Sequence, residues 1–308
     1  MKKVLMLFIV LIMLFSLSLA AHTFINPLGP TLLPIAELLT DKGVSAGGFE
    51  IEFWRSIDQA IADIVSRKVE AALLPVTVGG QLSAKGVPIK LAAVSMWDGF
   101  YFVSKEEMTD VKDLEGKTVY TLQAPGQTAD VILKGLLKKE NIENVNIVYV
   151  AGPESVQLFA AGKAEILLLP EPFASLAVTK VPEAVKSLPI EKMWNELTGK
   201  DFSVPTSGIF VRTNLETTVA DSFLLLYAQS LEMSLQKLDK SAAFVSEKMG
   251  GFPIPVLKKA FLSTKYEFKA DNEMREAVTE YIKSINEIDN TLIGDIDFDE
   301  FFYESEVF

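Results

Sequence analysis

The sequence contains no cysteine and a single histidine among its 308 residues. Without cysteine the chain has no disulfide, no thiolate nucleophile and no acylated cysteine to anchor it to a lipid surface. The histidine, His22, lies near the N-terminus, where chains commonly fray. Histidine is the usual general base at neutral pH and a usual zinc ligand. The composition therefore argues against triad enzymes and metal sites, and we expect no metal or cofactor.

Positive charge is also scarce. The chain has 29 lysine and arginine residues against 41 acidic residues, a formal net charge of −12. This acidity disfavours nucleic acid and anionic lipid surfaces as partners. An enzyme that uses only carboxylates is not excluded, because a chain with this many acidic residues can always bring two of them together.

Residues 1–20 have the pattern of a secretory signal peptide. Lys2 and Lys3 precede an apolar run from Val4 to Phe15, and Ser18-Leu19-Ala20 is a small-x-small cleavage site. No later stretch reaches the ~18 uninterrupted apolar residues of a membrane span. We therefore predict a periplasmic protein without a lipid anchor. The alternative is a signal segment that is retained as an N-terminal anchor.

One unit is written twice, as KVEAALLP at residues 68–75 and as KAEILLLP at residues 163–170. Apolar residues spaced as on one helix face precede each copy. A continuous apolar run of this length is typical of a buried strand in a parallel sheet. Although αβ units can look alike by composition alone, the matched lysine, glutamate, apolar run and proline favour a structural duplication.

The rest of the chain fits two α/β lobes. Strand patterns alternate with helical patterns, which favours sheets with parallel strands. We predict the first part of lobe 1 at 21–105, lobe 2 at 106–202, and a return to lobe 1 with C-terminal helices at 203–308. Ligands bind outside the carboxyl ends of parallel strands, so two facing lobes would enclose one cleft.

Several segments together resemble a known family. NPLGPTLLPIAELL, KVEAALLPVTVG, DLEGKTVYTLQAPGQTADVILKGLLKKENI and GKAEILLLPEPFASL are similar in order to periplasmic substrate-binding proteins of ABC importers. The likeness is greatest to the branch with nitrate-, sulfonate- and thiamine-precursor-binding members. It implies a two-lobed type II binding-protein fold, hinge closure on a small solute, delivery to permease subunits in the membrane, and no catalysis. We expect a monomer.

Two stretches where a strand turns into a helix are candidate ligand contacts. Backbone N–H groups at a helix start suit a negative or polar ligand group. Gly126 would allow close backbone approach, Thr128 would cap the helix, and two glutamines offer amides. These candidates are Gly29, Pro30, Thr31, Gln123, Pro125, Gly126, Gln127 and Thr128. The alternative for the first stretch is an ordinary turn.

Further candidates stand where strands end. Tryptophans at strand ends can clamp a planar or apolar solute, or they can pack beneath the C-terminal helices. Glu171, held between two prolines, would accept hydrogen bonds from an amino group or cation, or would be a surface carboxylate. This set consists of Trp54, Arg55, Pro75, Thr77, Trp97, Asp98 and Glu171.

The candidate residues weakly favour one class of ligand. Anion-binding pockets usually contain arginine or lysine, and Arg55 is the only basic residue among the candidates. The negative charges of Asp98 and Glu171 would repel an anionic ligand. We expect a neutral, zwitterionic or amine-bearing solute such as a thiamine pyrimidine precursor, with a sulfonate as a further possibility. The rival functions are an exported carboxylate-dependent enzyme resembling a glycosidase, with Asp98 and Glu171 as its pair, and a sensory ligand-binding module.

Overall fold

The computed structural model describes residues 22–40, 48–200 and 203–308. The predicted signal peptide lies outside these residues. Within the described part of the chain, no helix combines the length and the apolar character that crossing a bilayer requires.

The first lobe is built on a six-stranded sheet with the order β11-β4-β10-β3-β1-β2. Its strands are β1 (His22–Pro27), β2 (Phe49–Trp54), β3 (Ala71–Pro75), β4 (Ile89–Trp97), β10 (Pro205–Arg212) and β11 (Lys265–Lys269). Its helices are α1 (Ala36–Thr40), α2 (Ile57–Val65), α3 (Val76–Ala84), α8 (Thr217–Gln236), α9 (Leu238–Lys248), α10 (Ile254–Ser263), α11 (Asn272–Asp289) and α12 (Phe298–Phe301).

The second lobe is built on a five-stranded sheet with the order β7-β6-β8-β5-β9. Its strands are β5 (Phe100–Ser104), β6 (Thr118–Thr121), β7 (Asn146–Tyr149), β8 (Ile166–Pro170) and β9 (Val185–Pro189). Its helices are α4 (Thr128–Lys139), α5 (Gly152–Ala160), α6 (Phe173–Lys180) and α7 (Ile190–Thr198). The expectation of a two-lobed α/β fold with two sheets and flanking helices is confirmed.

The repeated sequence unit occupies the same place in both lobes. In each sheet the repeat strand, β3 or β8, lies between a parallel neighbour and an antiparallel one. The orders β4-β10-β3-β1-β2 and β9-β5-β8-β6-β7 match strand for strand. β1 is therefore equivalent to β6, and β2 to β7, so the predicted structural duplication is confirmed.

The sheets are more evenly mixed than the sequence pattern indicated. Strands β1, β2 and β3 run parallel, as do β6, β7 and β8, but β4, β5, β9, β10 and β11 pair antiparallel. The physical reason is the connectivity, because β5 and β10 enter their sheets from the opposite lobe. The spacing of apolar residues and the composition of a strand do not show whether that strand runs parallel or antiparallel to its neighbours.

The first crossing between the lobes lies earlier than residue 105. Phe100–Ser104 pairs antiparallel with β8, so β5 belongs to the second sheet and the chain crosses at Asp98–Gly99. The chain returns in β10, which starts at Pro205. The helix expected to start near Gly29–Thr31 is also interrupted. A 3₁₀ turn at Pro30–Leu32 precedes α1, because Pro34 has no N–H with which to continue a helix.

The C-terminal helices pack against both lobes. Trp194 of α7 is fully buried and meets the ring of Tyr281 of α11 edge-on, with the centroids 6.5 Å apart. Gly135 of α4 lies beneath the same indole, where a Cβ atom would approach a ring carbon to 2.9 Å. A helix from the end of the chain is thus part of the packing of the second lobe.

Two leucines of α10, which is another of the C-terminal helices, allow a matched test of how that helix packs. Leu257 is 0% exposed and Leu262 is 78% exposed. Leu257→Ala should lower the free energy of unfolding by about 2–5 kcal/mol, because it removes buried methyl groups and leaves a cavity. Leu262→Ala changes helix propensity equally but should stay within about 0.5 kcal/mol of the parent. Urea midpoints followed by circular dichroism measure both changes, and equal losses would contradict the assigned packing.

Candidate functional site

The two lobes meet where the parallel strands of both sheets end. Thr77, at the start of α3, donates from Oγ1 to the carbonyl oxygen of Gly126 at 2.9 Å. Gln81, one turn further along α3, donates to the same oxygen at 3.2 Å. Thr128 of the second lobe donates from Oγ1 to the carbonyl of Thr206 in β10 at 3.4 Å. The lobes are therefore in contact, and the sites predicted after β3 and β6 face each other.

We call this region the interlobe seam. It consists of Asn26, Gly29–Thr31, Thr77, Gln81, Gln123–Thr128, Glu171 and Thr206. Most of its side chains are polar and buried, which is uncommon in a protein interior unless hydrogen-bond partners are supplied. It lies outside the carboxyl ends of the parallel strands of both sheets, the position at which α/β sheets bind ligands.

The loop at Gln123–Thr128 is shaped for close approach. Gly126 has φ +85°, and a Cβ atom there would lie 2.8 Å from Nε2 of Gln81. A side chain at this position would force the lobes apart. The Gly126 N–H donates to Oδ2 of Asp130, and Oε1 of Gln127 accepts from Ala124 N–H, both at 2.8 Å.

The cap of α4 differs from the expectation. Gln127 is the N-cap residue, and Thr128 lies inside the first turn with its hydroxyl turned to β10. The prediction that Thr128 caps the helix is therefore wrong, because the opposite lobe offers its hydroxyl a carbonyl. Pro125 is exposed at the tip of the loop.

Gly29 is the N-cap residue of the three-residue 3₁₀ turn Pro30–Leu32, so this stretch does not start a long helix. A turn this short has little dipole, so it lacks the long-helix terminus on which the expected contact with a negative or polar ligand group was based. Thr31 is buried, and Asn26 Nδ2 donates to its Oγ1 at 3.3 Å. The Pro30 carbonyl accepts from the hydroxyl of Tyr266 at 3.0 Å, which ties the turn to β11.

Glu171 is a buried carboxylate, so the alternative of a surface carboxylate is excluded. It is 2% exposed, and its Oε1 lies 2.7 Å from Nζ of Lys186. Ser175 donates both its backbone N–H and its hydroxyl to Glu171, at 3.0 and 2.9 Å. Ser263, at the end of α10, donates to Oε1 from the other lobe at 3.2 Å. The cation that Glu171 contacts in this structure is thus a lysine of the same chain.

Two tyrosines connect Glu171 to its surroundings. Lys186 Nζ lies 4.1 Å from the ring centroid of Tyr101, whose hydroxyl donates to the carbonyl of Ser263 at 3.3 Å. Burial, followed by the negative charges of Glu191 and Glu171, raises the pKa of Tyr101 to about 12. Burial and then Glu171 raise the pKa of Tyr266 well above its ordinary value. Both phenols stay protonated and able to donate at neutral pH.

The two tryptophans pack rather than clamp. Trp54 is buried in the core and donates its indole N–H to the Leu73 carbonyl at 3.3 Å. Trp97 is buried and donates to the Glu267 carbonyl at 2.8 Å. Arg55 is exposed beyond the end of β2, and Pro75 is the N-cap residue of α3. The structure therefore buries both indoles and bonds each of them to the backbone of a strand, β3 for Trp54 and β11 for Trp97.

Asp98 lies at the crossing between the lobes rather than in the seam. Its Oδ1 accepts from the Val204 N–H at 2.6 Å, and its own N–H donates to the Val204 carbonyl at 2.9 Å. Burial raises the pKa of Asp98, and the Val204 N–H opposes the rise. The glycosidase-like pair of Asp98 and Glu171 is therefore not supported, since each carboxylate is bonded within the protein.

Two amide oxygens remain open in the seam. Asn26 Oδ1, at the end of β1, and Gln123 Oε1, just after the equivalent strand β6, are buried and accept no hydrogen bond from any described residue. A buried oxygen without a donor costs about 1–3 kcal/mol. These two positions are therefore the places where a bound molecule would gain most by donating.

Several of these residues have no strong sequence signal. Asn26, Gln81, Lys186 and Tyr266 were not among the sequence candidates. Asn26 alone is conspicuous, as a polar residue near the end of an otherwise apolar strand. Lys186 and Tyr266 come from β9 and β11, two short strands whose patterns are too weak to identify.

Known proteins share this fold. Residues 49–177 match the family described as NMT1/THI5 like. An ABC transporter structure from Parabacteroides distasonis superposes with a TM-score of 0.74 at 19% identity, covering 93% of this chain and 99% of that one. The periplasmic aliphatic sulphonate binding protein SsuA from Escherichia coli gives a TM-score of 0.72 at 12% identity over 92% of each chain. The fold is that of the periplasmic binding proteins.

A third structure has the same fold. The alkanesulfonate-binding protein SsuA from Xanthomonas axonopodis pv. citri, bound to MOPS, gives a TM-score of 0.66 at 13% identity over 89% of this chain and 94% of that one. No curated protein matches the sequence significantly. The resemblance to the binding proteins of ABC importers is confirmed, and these neighbours are described as transport or binding components rather than enzymes. At such low identities the binding-protein fold is shared, but the solute is not specified.

The Glu171–Lys186 pair provides a stability test. Lys186→Met should destabilise the protein by about 3 kcal/mol, because it leaves a buried carboxylate without its cation. Lys105→Met breaks the pair with Glu183, in which both side chains are 57% exposed. That control should cost less than about 1 kcal/mol. Chemical denaturation at pH 7 measures both, and a Lys186→Met variant as stable as the control would contradict the assigned pairing.

Proposed function

We propose that the protein is an extracytoplasmic solute-binding protein of an ABC importer, which captures a small molecule between its lobes. The observation that carries this proposal is the interlobe seam, where polar groups from both lobes meet at the carboxyl ends of equivalent strands. The descriptions of the structural neighbours support delivery to a membrane permease and a periplasmic location. The protein acts as a monomer in this proposal, with hinge closure retaining the solute.

The charges and open acceptors of the seam favour a neutral or amine-bearing solute. Lys186 is already bonded to Glu171, and Arg55 is exposed outside the seam. The open groups, Asn26 Oδ1 and Gln123 Oε1, are acceptors that require N–H or O–H donors. A sulfonate or nitrate would place further acceptor oxygens against them. A nitrogen heterocycle with an amino group, such as an aminopyrimidine, offers the donors that these oxygens need.

A thermal-shift panel tests the function and the ligand class together. The protein is unfolded and refolded to remove any carried ligand, and then mixed with thiamine, its aminopyrimidine, riboflavin, taurine, nitrate and common sugars. A ligand at 1,000 times its dissociation constant adds about 4 kcal/mol of stability. We expect an amino heterocycle to raise the melting midpoint. Stabilisation by taurine or nitrate alone would contradict the ligand class while leaving the binding function in place.

Gln123→Met tests the open acceptor directly. Methionine keeps the length of the side chain but removes Oε1, so the affinity for the stabilising compound should fall about tenfold, the worth of one hydrogen bond. Gln157→Met, on the exposed side of α5, is the matched control and should bind as the parent does. Isothermal calorimetry measures both affinities. Equal affinities in the two variants would remove Gln123 from the site.

A further inference from the structure

The two crossings between the lobes lie side by side and are bonded to each other. Asp98 and Val204 exchange two hydrogen bonds, from Asp98 N–H at 2.9 Å and from Val204 N–H at 2.6 Å. Asp98 and Gly99 have φ values of +55° and +100°. The chain therefore turns sharply at the first crossing and is held there by the second. Any opening of the lobes rotates the backbone about these residues.

A second carboxylate is buried at this hinge. Glu191 lies in the first turn of α7 and is 7% exposed. Its Oε1 accepts the Gly99 N–H at 2.8 Å, so α7 of the second lobe holds the turn of the first crossing. Its other oxygen, Oε2, is buried and meets no hydrogen-bond partner within the described ranges. A buried carboxylate that meets backbone N–H groups, but forms no ion pair within the described ranges, is costly to ionise.

The groups around Glu191 do not neutralise it. Asp98 adds a second negative charge, and Tyr101 of β5 and Tyr281 of α11 lie close enough to be affected by Glu191. Lys192 and Lys265 line the same surface depression. Lys192 pairs with Glu196 at 3.9 Å, and Lys265 bonds Ser203 at 2.8 Å and pairs with Glu267 at 3.5 Å.

Three of the four lysines on β9 and α4, two elements that pack against α7, are engaged elsewhere. On β9, Lys186 is bonded to Glu171. On α4, Lys134 is paired with Asp130 and Lys138 with Asp289, while Lys139 is exposed. Burial, with a further contribution from Asp98, raises the pKa of Glu191 to about 7, and the backbone N–H groups of Gly99, Glu191 itself and Phe100 oppose the rise.

We propose that protonation of Glu191 controls lobe closure, with the neutral carboxyl favouring the packed hinge and the carboxylate favouring an opened hinge that water can reach. The sign follows from linkage, because the closed hinge has the higher pKa and therefore binds the proton more tightly. Closure gains free energy as the pH falls below about 7. The gain levels off near the ordinary glutamate pKa of about 4.3.

The absence of cysteine makes a clean distance measurement possible. Asp58 in α2 and Glu154 in α5 are exposed, belong to different lobes, and begin the helices that follow the equivalent edge strands β2 and β7. Asp58→Cys and Glu154→Cys carry spin labels, and the inter-label distance is measured from pH 5 to pH 9 on refolded, ligand-free protein. We expect the closed-to-open ratio to rise about tenfold from pH 8 to pH 6.

Three variants in the labelled background separate the proposal from a merely structural role. Glu191→Gln keeps the shape and the acceptor for Gly99, so the lobes should stay closed at every pH. Glu196→Gln, on the exposed part of the same helix, should respond as the parent does. Asp98→Asn keeps an acceptor for Val204 but removes the neighbouring charge, so the midpoint of closure should move to lower pH.

Distances that do not change with pH, or an unchanged pH response in Glu191→Gln, would overturn the proposal. Thermal unfolding of Glu191→Gln and Asp98→Asn checks that each variant folds. No solute enters the measurement, so its outcome is independent of the proposed binding function.

Discussion

The reciprocal hydrogen bonds between Asp98 and Val204 are the constraint on which the arrangement depends. They join the two places where the chain passes from one lobe to the other. In the proposed hinge closure, the lobes turn about these two crossings. Away from the crossings, Thr77 and Gly126 bond the lobes to each other at the seam.

The seam places many polar groups where water is largely excluded, so each must find a partner. Most do so within the protein. Glu171 combines a lysine, a helix N-terminus and a hydroxyl from the opposite lobe. Glu171 thus accepts from several donors, whereas Asn26 Oδ1 and Gln123 Oε1 accept from none of the described residues. Within the described residues, the lysine at the seam is bonded to Glu171, and the buried side-chain atoms of the seam that have no partner are these two acceptor oxygens.

Much of the architecture was predictable because it rests on local patterns. The repeat at residues 68–75 and 163–170 predicted two equivalent strands, since an apolar run with a preceding amphipathic helix specifies a buried strand on its own. The loop with Gly126 was predictable because glycine in a turn signals positive φ or close approach. Trp54 and Trp97 were ambiguous, because a strand end can face a cleft or a core, and strand packing decides which.

The sequence by itself determined the strand and helix content, the duplication and the polar loops after β3 and β6, because these follow from spacing and from the conformational limits of glycine and proline. Tertiary structure alone decided the partners. Lys186 pairs with Glu171, Tyr266 donates to the Pro30 carbonyl, and Glu191 accepts from the Gly99 N–H. In each case the two residues belong to segments that are separate in the chain. Hydrogen bonds and buried charges depend on distances of about 3 Å between such elements, and no local pattern encodes those distances.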